Sequence, residues 1–395
     1  MSGCLGGLSL EETETVLRVA LAQLHGAEAR LESWSAQQFT THGRHRVVRY
    51  DLCAHAAGAS GVQRHQWVGK FYDRGEDAGR AEAILRALAD IDSVADGAVV
   101  IPRVVACDHR RGLLLMTYEA GDPLSSAIAQ YPEVVPSVIG RALAALHATA
   151  IALDEAPCPA AVLAELRPKV ADLCARFLGQ ATALRSMLAA LERGMPMWPT
   201  PGAFQHGDFG PAQVIWQGGH IVVLDFDKCA LGDPAVDLGN LLTQLRRLTL
   251  RKPERLLVAF PSLRAAILDA YQRWSPPDPG LDRRVAWHEQ VALLRKIHLL
   301  AFDRTRHPEA DAIKRREAEA IRLVACAHAL LDEGRRAARA GGAPRPIVPA
   351  KSWASFIRRR SALELVLQAL STRPATPAEL DQIRRLLDET NGGTE

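Results

Sequence analysis

The chain has 395 residues, 48% of them hydrophobic and 24% charged, which supplies a sizeable core and excludes wholesale disorder. Its 48 Lys and Arg stand against 45 Asp and Glu, and a formal net charge of +3 is too balanced to mark a nucleic-acid partner. The seven cysteines are odd in number, widely spaced and without a pair at metal-ligand spacing, which argues for reduced thiols in a cytoplasmic protein rather than a disulfide framework.

The N-terminal segment has no basic stretch followed by an apolar one, so no secretory leader is expected. Residues 9–31 read as one amphipathic helix, with Ser9 as its cap ahead of Glu11 and Glu12. β-Branched and aromatic residues over 33–40, 46–54 and 66–72 predict strands, separated by turn-prone His42-Gly43 and by residues 58–61. The period turns helical over 76–88, where Ala81, Ile84, Leu85 and Leu88 share a face. Further strands over 99–107 and 112–118 complete a small, mostly β half.

Beyond Gly121-Asp122-Pro123 the pattern is mainly helical, over 136–152, 162–192, 237–250, 263–274, 283–302 and 309–340. Two strand-like runs, 213–217 and 220–226, sit alone among these helices, joined by Gly218-Gly219. No apolar run reaches membrane-spanning length, so no membrane partner is expected. Residues 341–346 read as a linker and 354–387 as a basic helical tail. The basic stretches Arg246-Arg247, Lys314-Arg315-Arg316 and Arg358-Arg359-Arg360 read as solvated helix faces, without the aromatic interleaving that nucleic-acid binding wants.

One segment carries chemistry: His206-Gly207-Asp208-Phe209-Gly210-Pro211-Ala212-Gln213, then Leu224-Asp225-Phe226-Asp227, then Gly232-Asp233-Pro234-Ala235-Val236-Asp237. Phosphoryl transfer needs a positioned triphosphate, a Mg²⁺ held by hard oxygen ligands, and a separate carboxylate for the attacking hydroxyl. Asp208 lies in a Gly- and Pro-rich loop, Gln213 offers an amide oxygen at a strand start, and a hairpin returns Asp225 at the end of an apolar strand. A metal-dependent hydrolase built on Asp208 and Asp225 is less favoured, because no His ligand cluster accompanies them.

These motifs resemble, in order and spacing, those of the aminoglycoside phosphotransferase and choline-kinase-like family, whose catalytic loop H-G-D-x-x-x-x-N is followed by I-D-[FW]-[ED] and G-D-P-x-x-D-L. The resemblance implies a bilobal protein-kinase-like α+β fold, with a small β-rich N-lobe over 1–118, a large mainly helical C-lobe over 119–340, and the linker and tail over 341–395. It implies Asp208 as catalytic base, Asp225 with Gln213 as Mg²⁺ ligands, His206 as a loop-ordering residue and Asp237 as a brace at a helix start. Gln213 departs from the family's Asn, although its longer side chain still offers an amide oxygen, and maltokinase-like members of the wider family resemble it there.

The same resemblance asks the β-rich half for a Lys that meets the ATP phosphates. Lys70, in Trp67-Val68-Gly69-Lys70-Phe71-Tyr72, is the candidate, and Glu82 on the following helix is its expected ion-pair partner, with Glu76 as rival. Residues 40–45, with their single glycine, read equally as a phosphate cradle or an ordinary turn. Met116, Thr117 and Tyr118 look like the hinge that meets adenine. His147 reads as a hydrogen-bonded core histidine, Asp227 stays open between metal assistance and backbone pinning, and Asp233 reads as a turn residue before Pro234. The expected function is an ATP- and Mg²⁺-dependent phosphotransferase acting on a hydroxyl of a small molecule. The alternative is a kinase-fold protein that binds nucleotide as a sensor or scaffold. Asp122, Glu254, Asp269 and Glu289 are candidate acidic walls for a cationic acceptor, with a slight lean to a carbohydrate hydroxyl. Oligomeric state has no signature in the sequence.

Overall fold

A computed structural model describes residues 6–39, 45–55, 61–89, 99–197, 202–251, 260–303 and 310–339. The cradle residues 40–44, the turn before Gly61, Glu254, Arg358-Arg359-Arg360, and the linker and tail lie outside them. The chain divides into two compact units, one formed by Met1–Asp90, Val100–Gly121 and Val222–Asp227, the other by Ile91–Val99, Asp122–Ile221 and Lys228–Glu395.

The first unit opens with α1 (Leu10–His25), started by a capping box in which the Glu12 amide donates to Ser9 Oγ and the Ser9 amide to Glu12 Oε2. The helix is shorter than its apolar pattern predicts. It stops at Gly26, whose φ of 91° is open to glycine and unfavourable for other residues, and the chain continues as a strand. That strand, β1 (Arg30–Phe39), is followed by β2 (Arg46–His55), β3 (Val62–Phe71), α2 (Gly75–Ala87), the two-residue β4 (Val99–Val100), β5 (Val104–Asp108) and β6 (Leu113–Thr117). The strand expected over 99–107 is broken after Val100, and Pro102, which has no amide to donate to a ladder, falls in the gap.

Five strands form an antiparallel sheet in the order β1-β2-β3-β6-β5. Strand alternation puts Val48, Tyr50, Leu52, Trp67, Phe71, Leu113 and Leu115 in one apolar cluster with Leu17, Ala20 and Leu21 of α1. By the same alternation Lys70, opposite Leu114 on β6, lies on the other face of the sheet. Helix α2 packs against β5 and β6.

The second unit is mainly helical. It contains β7 (Asp122–Pro123), α3 (Leu124–Gln130), α4 (Val135–His147), α5 (Pro159–Arg176), α6 (Ala181–Arg193), β8 (Ala203–Gln205), β9 (Val214–Trp216), β11 (Ala230–Gly232), α7 (Ala235–Arg251), α8 (Phe260–Trp274), α9 (Leu281–Phe302) and α10 (Ala310–Arg339). Strand β10 (Ile221–Val223) follows β9 through a turn closed by the Gln217 amide on the His220 carbonyl, with Gly218 and Gly219 both at positive φ. β8 pairs antiparallel with β11, and β7 with β9.

Its core joins α5, α6, α9 and α10 through residues such as Leu166, Leu184, Met187, Leu294, Ile297 and Leu323. Helices α4 and α8 cross closely at Gly140, where a Cβ would stand 2.6 Å from the Ala270 Cβ and the Tyr271 amide. That close approach brings His147, at the end of α4, to the Tyr271 hydroxyl at 2.9 Å.

Candidate active site

In the first unit, Lys70 is the centre of a compact polar cluster. Its ammonium donates to Asp225 Oδ1 at 2.6 Å and to Asp227 Oδ2 at 2.7 Å, and lies 5.0 Å from the Tyr72 ring centroid. The side chain is only 11% exposed, so the carboxylates and the aromatic face offset the desolvation of a buried ammonium. Asp227 also accepts from the Tyr72 hydroxyl at 2.8 Å and meets His45 Nε2 at 3.2 Å, and its carbonyl takes the Arg80 guanidinium at 2.8 Å. Burial first, and then the negative charge of Asp227, push the Tyr72 phenol far above its ordinary value, so it stays a hydrogen-bond donor.

Asp225 is held differently. Its φ of 66° makes it the sole non-glycine among the described residues with a left-handed backbone. Such a conformation costs roughly 1–3 kcal/mol and persists only where the surroundings over-determine it. Here it turns the chain from β10 into the 3₁₀ turn Phe226–Lys228, with the carboxylate half-exposed beside Lys70.

The expected pairing of Lys70 with Glu82 is corrected by the structure. Glu82 gives Oε1 to the Arg86 guanidinium at 2.9 Å and faces His109 Nε2 with Oε2 at 3.5 Å. The (i, i+4) spacing on α2 favours Arg86, and the ammonium is already shared by Asp225 and Asp227.

The hinge candidates lie along β6 and its exit. The Thr117 amide donates to Arg103 O and the Tyr118 amide to Gln66 O, both at 2.9 Å. Thr117 Oγ1 donates to Glu119 Oε1 at 2.6 Å. Of the backbone expected to meet adenine, two amides are therefore already donated to neighbouring backbone carbonyls. Met116 is half-buried opposite Val68 and Val104.

In the second unit the loop bearing Asp208 is tied from below. Asp237 is fully buried in the first turn of α7, and its carboxylate accepts from the His206 amide at 2.6 Å and the Gly207 amide at 2.8 Å. It also meets His147 Nε2 at 3.1 Å. Burial alone would raise its carboxyl, but the His147 hydrogen bond, the charges of His147 and His206 and the amide donation hold it below the ordinary carboxylate range. Gly207 has φ 79°, and a Cβ there would stand 2.4 Å from the Lys228 carbonyl, so the loop requires glycine.

The Asp208 amide donates to His206 Nδ1 at 3.3 Å, and Asp208 Oδ2 accepts from Lys228 Nζ at 2.7 Å. Both charged ends of that pair are well exposed, which leaves Asp208 accessible. Gln213 is half-buried at the entry to β9, its amide closing a turn on Gly210 O at 3.0 Å.

Asp233 pins backbone: it accepts from the Ala235 amide at 3.0 Å and from Arg284 Nε at 2.8 Å, and the same guanidinium meets Asp278. Of the acidic acceptor candidates, Glu289 is buried and paired with Arg264, so it forms no exposed wall, whereas Asp122 and Asp269 are exposed. Sequence reasoning left Asp227 open and did not single out Tyr72 or Lys228. The available signal was spacing, since Lys70 and Tyr72 are two residues apart and fall on one side of an extended chain.

A family model described as the phosphotransferase enzyme family (APH) matches residues 51–287. Among solved structures the chain is similar to a Plasmodium vivax ethanolamine kinase, at 11% identity over 82% of this chain and 91% of that one, with a TM-score of 0.51. It is also similar to the macrolide 2'-phosphotransferase MphH from Brachybacterium faecium, at 22% identity over 78% of this chain and 98% of that one, TM-score 0.47. The choline kinase LicA from Streptococcus pneumoniae is similar at 15% identity over 80% and 99%, TM-score 0.46. No curated protein sequence matches the chain. With the family model spanning more than half of its length and a protein-kinase-like fold beneath the motifs, the chain belongs to the phosphotransferase enzyme family.

Proposed function

We propose that this chain transfers the γ-phosphoryl group of ATP to a hydroxyl of a small molecule, with a carbohydrate-type polyol as the favoured acceptor class. The observation that carries the reading is the Lys70 cluster, where an ammonium and the carboxylates of Asp225 and Asp227 meet within 2.7 Å. That donor set fits a magnesium–triphosphate: carboxylate oxygens are hard ligands suited to Mg²⁺, and an ammonium suits phosphate oxygens. Asp225 and Gln213 would hold the metal, Lys70 the phosphates, and the segment of Met116, Thr117 and Tyr118 the adenine, through carbonyls and the Glu119 amide. When bound, Mg²⁺ supplies neutralisation of the charge on the transferred group.

The chain's own residues do the rest. Asp208 orients the acceptor hydroxyl and takes its proton as the oxygen attacks. Lys228 holds one Asp208 oxygen, leaving the other for the acceptor. His206 and Gly207, anchored by Asp237, keep the loop backbone in place, so that positioning is set before the acceptor arrives.

The test is a broad acceptor screen with labelled ATP, run on the wild-type chain and on Asp208→Ala. A phosphorylated product whose formation falls by about 10²-fold or more in the variant supports the reading. Full turnover by Asp208→Ala overturns the assignment of the base. ATP binding without turnover on any acceptor favours the nucleotide-sensing alternative.

A further inference from the structure

Glu82, released from its expected partner, stands in a second group of side chains in the first unit. Cys107 on β5, His109 just after it and Glu82 on α2 each bring a ligand atom within 4.8 Å of the others, and no other such His, Cys, Asp and Glu group occurs among the described residues. Cys107 Sγ lies 4.0 Å from His109 Nδ1, and His109 Nε2 lies 3.5 Å from Glu82 Oε2.

Two features make this a built arrangement. Arg86 occupies the far oxygen of Glu82, Oε1, at 2.9 Å, which orients the carboxylate and directs Oε2 towards the imidazole. Helix α2 also presents glycine where His109 crosses it. A Cβ on Gly75 would fall 1.9 Å from the His109 carbonyl, and one on Gly79 would fall 2.9 Å from the ring carbon Cε1. A side chain at Gly75 would displace the His109 backbone, and one at Gly79 would press on the imidazole that faces Glu82.

We propose that Glu82, Cys107 and His109 form a binding site for a divalent cation of borderline softness, of the Zn²⁺ type. Thiolate, imidazole and carboxylate together are the donor set of such ions, whereas Mg²⁺ and Ca²⁺ prefer oxygen alone. The three ligand atoms lie within 4.8 Å of one another, and the His109 side chain is 61% exposed, so solvent reaches the site. Three protein ligands leave a fourth position for water. Binding releases the Cys107 proton to solvent, so charge and atoms balance. A cation here fixes Glu82 on the His109 side, while Lys70 keeps Asp225 and Asp227.

The test uses the full chain, stripped with a chelator and titrated with Co²⁺. The expected result is a thiolate-to-cobalt charge-transfer absorption saturating near one equivalent and reversed by Zn²⁺. Cys107→Ser should abolish it, and Glu82→Gln or His109→Ala should weaken binding by about 10-fold or more. An unmutated control guards against misfolded variants: saturating Zn²⁺ should slow alkylation of Cys107 by iodoacetamide, read by peptide mass spectrometry, and leave the exposed Cys158 unchanged. An absorption that persists in Cys107→Ser, the absence of any absorption, or an unaltered Cys107 alkylation rate overturns the proposal. None of these readouts depends on phosphotransfer.

Discussion

Replacing Asp237 by alanine tests how the Asp208 loop is held. The carboxylate is fully buried, receives the His206 and Gly207 amides at 2.6 and 2.8 Å, and meets His147 at 3.1 Å. A hydrogen bond to a charged group contributes about 1.5–3 kcal/mol, so three of them total about 5–9 kcal/mol before the desolvation of the carboxylate is set against them. Measured removals of one partner from a buried pair fall at about 3–5 kcal/mol, and that is the destabilisation expected here. Asp237→Asn keeps one carbonyl acceptor and the side-chain volume, so roughly half of that loss is expected. Urea unfolding followed by circular dichroism reads both variants against the wild type. A loss below about 1 kcal/mol for Asp237→Ala would show that water or a neighbour replaces the carboxylate, and the bracing argument would fail.

Lys70→Met should keep the fold and lower phosphotransfer by about 10²-fold or more, with turnover measured beside the thermal melting curve; near-normal turnover would remove Lys70 from the phosphate site. Gly207→Ala should lose both loop order and activity, because a Cβ would meet the Lys228 carbonyl at 2.4 Å and the φ of 79° adds strain of roughly 1–3 kcal/mol. A melting temperature equal to wild type would contradict this. Stability should also fall in acid. Asp233 and Asp237 sit below their ordinary carboxylate values in the folded state, so their contribution is complete above about pH 4–5 and is lost as pH drops through the folded values. An acid limb of Asp237→Asn superimposable on that of the wild type would refute the role of this carboxylate.

Much of the architecture was legible in the chain, because local patterns report local forces. The β-branched and aromatic residues of β2 and β3 announced strands, the periodic apolar face of α2 its helix, and Ser9 ahead of Glu11 and Glu12 the start of α1. Where local signals compete, the boundaries moved: α1 ends at Gly26 rather than running to residue 31, and Pro102 divides the strand expected over 99–107. The phosphotransferase motifs were legible for a different reason, since residue types at fixed spacing in one short segment need no long-range knowledge.

What only the tertiary structure decided was partnership. The family resemblance offers Lys70 the Glu82 carboxylate on the next helix, with Glu76 as rival, yet the ammonium goes to Asp225 and Asp227, which stand 155 and 157 residues away. Likewise Cys107, His109 and Glu82 show no ligand spacing in the chain and meet because α2 packs on β5 with glycine at the crossing. A charge removed from water takes whichever counter-charges the packing of the backbone brings within about 3 Å, and that packing is the sum of many apolar contacts rather than a property of any short motif.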